Sequence, residues 1–162
     1  LPSPFGANAK PLPPVAELAK RKGNIANGEK MFFAETTLCA RCHKVGNRGI
    51  EVGPALTEIG DKLPKSELYE AIIDPSAGIS FGYEAWQVKM KDGNVVFGII
   101  QSETDTEIAV KGPTGAVTKH TKAAIVSRQQ QALSLMPPGL HLTMKESDLV
   151  DLIEYLGSLK KK

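Results

Sequence analysis

Several large protein classes are excluded by what this sequence lacks. Only two of its 162 residues are cysteines, so a disulfide-dense miniprotein is ruled out. No run of about 18 consecutive apolar residues occurs, which leaves no candidate for a direct membrane-spanning helix. Aromatic residues make up 6%, too few for a platform on which bases stack. Twenty basic residues nearly cancel eighteen acidic ones, and a net charge of +2 argues against a nucleic-acid partner. What remains is a chain with 41% apolar residues, long enough to bury one core and carry a sizeable insertion.

The two cysteines fall in Cys39-Ala40-Arg41-Cys42-His43. Thiols at this spacing, one helical turn apart, can reach the two vinyl groups of a haem. The next residue, His43, then offers its imidazole to the iron from the same side. The spacing is the attachment signal for c-type haem, one per motif. A thioredoxin-like pair, half a zinc site and an ordinary disulfide are the alternatives. Zinc would want a second Cys or His pair at suitable spacing, and a redox pair would want a βαβ context; neither is visible. Two cysteines scattered over this length fall into the motif by chance about once in 4000 trials.

Residues 1–23 read as a proline-rich linker or arm, with Pro2, Pro4, Pro11, Pro13 and Pro14 disfavouring helix and strand alike. The start at Leu1 fits a processed or excised piece, and no signal peptide is visible. A first helix is expected from an Asn24 cap to about Glu35, and another over about Pro64 to Ile73, ended by Asp74-Pro75. From 83 to 128 the periodicity turns alternating. Trp86, Val88 and Met90 lead to a turn at Asp92-Gly93, then Val95 to Ile100 and three shorter strands, a small antiparallel sheet or barrel. A final helix is predicted from Met144 to about Leu159, capped by a Thr143-x-x-Glu146 box.

With these elements in place the chain resembles a class I c-type cytochrome. The resemblance rests on Gly28-x-x-x-Phe32, the Cys39–His43 motif, Gly53-Pro54-Ala55-Leu56 and the amphipathic last helix. It implies a mainly α cytochrome fold over residues 24–162, interrupted by the β-rich insertion at about 83–128 (α+β overall). It also implies that Gly28 and Phe32 meet Tyr155 and Leu156 where the first and last helices cross. The Pro54 carbonyl would accept the Nδ1–H of His43, fixing the tautomer that leaves Nε2 for iron, and Leu56 would pack on the haem edge.

Nearly all of the chain after residue 24 is similar to the planctomycete-type haem-binding domains, often fused to large predicted membrane-associated dehydrogenases. The shared features are Cys39 to Val45, Gly53 to Leu56, Asp74-Pro75-Ser76, Gly82-Tyr83-Glu84, Lys91-Asp92-Gly93 and Ser134-Leu135-Met136-Pro137. In that group a β-rich insertion separates the middle helices from the ligand loop. The resemblance implies an electron carrier rather than an enzyme in its own right, serving redox partner proteins, among them a fused or associated dehydrogenase.

Met136 is the favoured sixth ligand. Pro137 and Pro138 hold it extended and stiff, and about 48 residues separate it from His43 once the insertion is set aside. Met144 follows the Thr143 cap and is expected to pack; His141 is the bis-His alternative. Trp86 could line the haem or hydrogen-bond a propionate, or serve as an inward core residue of the sheet. The insertion faintly resembles SH3-like or Sm-like barrels but lacks a basic-aromatic face. Attachment of haem c implies the bacterial periplasm. Electron transfer through a His43/Met136 haem is the leading expectation; a haem with a displaceable distal ligand, acting in gas sensing or catalysis, is the alternative.

Overall fold

Two helices far apart in sequence carry the α-helical half. A computed structural model describes residues 11–162. Helix α1 spans Val15–Leu18 and α2 Ile25–Phe32, with α3 at Cys39–Cys42, α4 at Ile59–Lys62, α5 at Lys65–Ile73 and α6 at Glu146–Ser158. Asn24 caps α2 as expected, its Oδ1 accepting from Asn27 N–H at 2.9 Å. The helix ends at Phe32, short of the expected Glu35, where Thr37 takes over its last turn. The buried Thr37 hydroxyl donates to the Met31 carbonyl at 2.6 Å.

Helix α6 turns Leu149, Leu152, Ile153, Tyr155 and Leu156 into one core shared with Phe32, Leu68, Tyr69 and Ile72. An amphipathic last helix is what the sequence predicts, but its start differs. Thr143 belongs to a 3-10 turn over Leu140–Thr143, where its hydroxyl donates to the Leu140 carbonyl at 2.6 Å. Lys145 is the cap, and Asp148 accepts from its N–H at 3.4 Å. With Thr143 spent on its own turn, the cap moves two residues on.

Of the proline-rich arm, residues 1–10 lie outside the described residues, and from Pro11 onward it is not a free linker. Pro14 opens α1, where the missing N–H costs nothing. Leu18 is fully buried in the core and its carbonyl faces the Tyr69 hydroxyl at 3.5 Å. Arg21 pairs with Glu17 at 2.8 Å and with Glu146 on α6, and Lys65 donates to the Arg21 carbonyl at 3.1 Å. The density of prolines hid a helix start.

The segment between α5 and α6 is a five-stranded antiparallel sheet, giving a mixed α+β architecture. Its strands are β1 (Ala85–Met90), β2 (Val95–Glu103), β3 (Glu107–Lys111), β4 (Val117–Thr121) and β5 (Ile125–Gln130), in the order β4-β3-β2-β1-β5. Strand β2 runs three residues beyond the expected Ile100. Val88, Met90, Ile108 and Val110 form a second core within the sheet, with Trp86, Val96 and Ile125 packed against it. Trp86 stands opposite Gly98, and the Arg128 guanidinium lies 5.5 Å from its ring centroid. No helix of the described residues is long and apolar enough to cross a membrane.

Candidate functional site

Between the helical core and the sheet lies a cavity of about 1080 Å³, at the upper end of the ~300–1,000 Å³ typical of small-molecule sites. Cys39, Cys42, His43, Pro54, Leu56 and Met136 all line it. The structure therefore brings six of the seven residues singled out from sequence to one cavity. Trp86 is the exception: it sits in the core of the sheet and is not among the lining residues. Met144 is buried in the helical core, also away from the cavity wall.

The cysteine segment enters the cavity through an unusual backbone turn. Leu38 adopts φ +64°, the left-handed region, at a cost of about 1–2 kcal/mol for a side chain of its kind. That turn reverses the chain after Thr37 and starts α3, the single helical turn that puts Cys39 and Cys42 on the cavity. Burial pushes both thiols up in pKa. A redox pair requires the opposite, a thiol lowered by neighbouring positive charge or a helix N-terminus. Among the described residues no cluster of three or more His, Cys, Asp or Glu side chains gathers that could hold a bare metal ion, so the zinc alternative finds no second ligand pair.

His43 is held in one orientation. Its Nδ1 lies 2.7 Å from the Pro54 carbonyl oxygen. A carbonyl can only accept, so Nδ1 carries the hydrogen and Nε2 keeps its lone pair. Burial lowers the imidazole pKa, against a smaller opposite effect of the Pro54 bond, and favours the neutral ring that can ligate a metal. The loop reaches this geometry by wrapping back on α3: Val52 and Gly53 N–H both donate to the Cys42 carbonyl, at 3.0 and 2.7 Å. Gly53 is needed there, since a Cβ would stand 2.7 Å from His43 Cε1.

Met136 lines the same cavity. Its N–H donates to Ser134 Oγ at 3.1 Å, and Ser134 N–H donates to Ser76 Oγ at 3.0 Å, pinning this loop to the segment after α5. Ser76 and Ser134 stood inside motifs quoted for resemblance, but their linkage was not legible in the sequence. His141 does not line the cavity; its Nδ1 is buried without a hydrogen-bond partner among the described residues. Sequence reasoning also missed Ile99, Pro113 and Thr114, which the insertion contributes to the wall. Nothing in a strand pattern says which end of a sheet will face another core.

The donor set fits a haem: two thiols one helical turn apart, an imidazole with a fixed free nitrogen, a thioether, and a largely apolar enclosure of sufficient volume. Helices α2 and α6 cross beside it, with Phe32 and Tyr155 ring centroids 6.0 Å apart. The family model of cytochrome c matches residues 25–110, which runs from the start of α2 into β3. No curated protein matches the chain.

Proposed function

Because the chain belongs to the cytochrome c family, and so to proteins of haem-based electron transfer, we propose that it is a monohaem carrier in which His43 and Met136 would ligate the iron. Cys39 and Cys42 hold the haem by thioether bonds. The bound haem supplies a one-electron ferric/ferrous couple. The chain's own residues do the rest. Pro54 orients the imidazole, Leu56 lines the cavity and would pack against the bound haem, and the Ser76–Ser134 link keeps Met136 at the cavity. The apolar lining lowers the local dielectric around the iron.

The observation that carries this reading is the shared cavity. His43, with its free Nε2, and Met136 line the same enclosed space as both thiols. We read the fold as class I and the chain as a planctomycete-type haem domain, serving a fused or associated dehydrogenase in the periplasm. The motifs from Cys39 to Val45 and from Ser134 to Pro137 support that assignment.

The test is spectroscopic. A pyridine haemochrome of the purified protein should show one covalent haem per chain. The ferric spectrum should carry a methionine-to-iron charge-transfer band, and carbon monoxide should bind the reduced protein slowly and incompletely at neutral pH. Rapid, stoichiometric binding would instead establish the displaceable-ligand alternative.

A further inference from the structure

The inserted sheet reaches the cavity through Ile99 on β2 and through Pro113 and Thr114 in the turn between β3 and β4. In the β2–β3 ladder Ile99 pairs with Lys111, and in the β3–β4 ladder Lys111 pairs with Val117. Ile99, midway along β2, therefore lies level with the last residue of β3 and the first of β4, and the turn between them, Gly112-Pro113-Thr114-Gly115, starts beside it. That turn meets residues 50–53, the segment that wraps α3 and leads to Pro54.

Three contacts fasten it. The Lys111 ammonium donates to the Glu51 carbonyl at 2.8 Å. Gly115 is so close to the segment that a Cβ would stand 3.0 Å from Ile50 Cγ2 and 3.6 Å from Val52 Cγ2. Val52 is 2% exposed although it belongs to neither hydrophobic core. Pro113 and Thr114, beside these contacts, reach the cavity itself.

We infer that the inserted sheet is a wall of the haem cavity, and that its β3–β4 turn screens the bound group from water on the side of residues 50–53. This rests on the haem reading above. The physical consequence follows from charge. The ferric form carries one more positive charge than the ferrous form, so a dry wall disfavours it and holds the reduction potential up. Removing the wall admits water and favours the ferric state. Ile99 and Pro113 act as shielding residues, and Lys111 as a positioning residue that keeps the turn seated.

The experiment uses the haem-loaded protein and compares it with Pro113→Gly/Thr114→Gly and Ile99→Ala. The expected result is a one-electron equilibrium shifted toward the ferric form by about tenfold, or about 59 mV. Oxidation of the reduced protein by dissolved oxygen should also become several-fold faster. Lys111→Met keeps the side-chain stem and the fold, and should shift the potential in the same direction by less. Val126→Ala, on the exposed edge strand, should leave both readings unmoved. The inference is overturned if the turn variants and Ile99→Ala keep the parent's potential and oxidation rate while retaining the methionine charge-transfer band. A parent protein without covalent haem overturns the functional reading as well, and the haemochrome separates the two failures.

Discussion

A Cβ on Gly28 would stand 1.9 Å from the Asp151 carbonyl oxygen, closer than any non-bonded contact permits. The backbones of α2 and α6 meet there without side chains between them. Asp151 also accepts from Asn24 N–H at 2.7 Å and from Asn27 Nδ2 at 2.7 Å, so the crossing is fixed on both sides. Neither backbone can retreat without breaking these bonds.

Gly28→Ala should therefore destabilise the haem-loaded protein by about 3 kcal/mol, the upper part of the range for overpacking. Urea unfolding checks this: the midpoint should fall with an unchanged slope. A loss below about 1 kcal/mol would mean that the two helices can spread.

Gly53→Ala acts on the imidazole rather than on the fold. The added methyl meets His43 Cε1 at 2.7 Å and pushes the ring off its line to the Pro54 carbonyl. The ferric absorption spectrum should gain a high-spin fraction while the haem stays covalently attached. A spectrum identical to the parent's would contradict this.

The two methionines near the last helix should separate cleanly. Met136→Leu should abolish the methionine-to-iron charge-transfer band. Met144→Leu should keep the band, because Met144 is buried in the helical core, and should cost less than about 1.5 kcal/mol as a volume-conserving swap. Loss of the band in the second variant instead would reassign the ligand.

Tyr69 predicts the alkaline limit. Burial pushes its phenol up to about 12 from the ordinary 10.0. The folded state holds the proton that the unfolded chain gives up near pH 10, so this contribution is complete below pH 10 and is lost as the pH rises to 12. Tyr69→Phe should flatten the stability profile in that window, measured as the difference from parent in urea midpoints.

His141 predicts the opposite end. Burial lowers its pKa below 6.5, and among the described residues its Nδ1 has no partner to stabilise the charged ring. Its contribution is full above pH 6.5 and is lost as the pH falls through the lower folded value. His141→Leu should lose less stability than the parent between pH 7 and pH 5. An unchanged acid slope would show that the ring charges without penalty.

Local rules carried much of the fold. The Asn24 cap, the α6 stripe and the Asp92-Gly93 turn each follow from a few neighbouring residues, and all three are present. The cysteine motif, the Gly53–Leu56 segment and Met136, separate in the sequence, all line one cavity. What escaped was set by pairing over long distances. The docking of Leu18 beneath Tyr69, the Ser76–Ser134 link and the seating of the β3–β4 turn on residues 50–53 each join segments that carry no mark of one another. Trp86 illustrates the same limit: its side chain suits a haem wall or a sheet core equally, and the strand register decided for the sheet.

The α2–α6 crossing also closes a long loop. Asn24 and Asp151 are 127 positions apart, and Cys39, Cys42, His43 and Met136 all lie between them. Leu152 and Leu156, on the last helix, complete the cavity wall. A growing chain thus presents its two thiols and His43 long before any enclosure for them exists, and closing so long a loop is slow. Covalent attachment on the open chain would plant a large apolar body in the middle of that loop, around which α2 and α6 then condense. The bound group would then be walled in as α2 and α6 close on each other through Phe32 and Tyr155, and the last helix would shut a cavity already occupied.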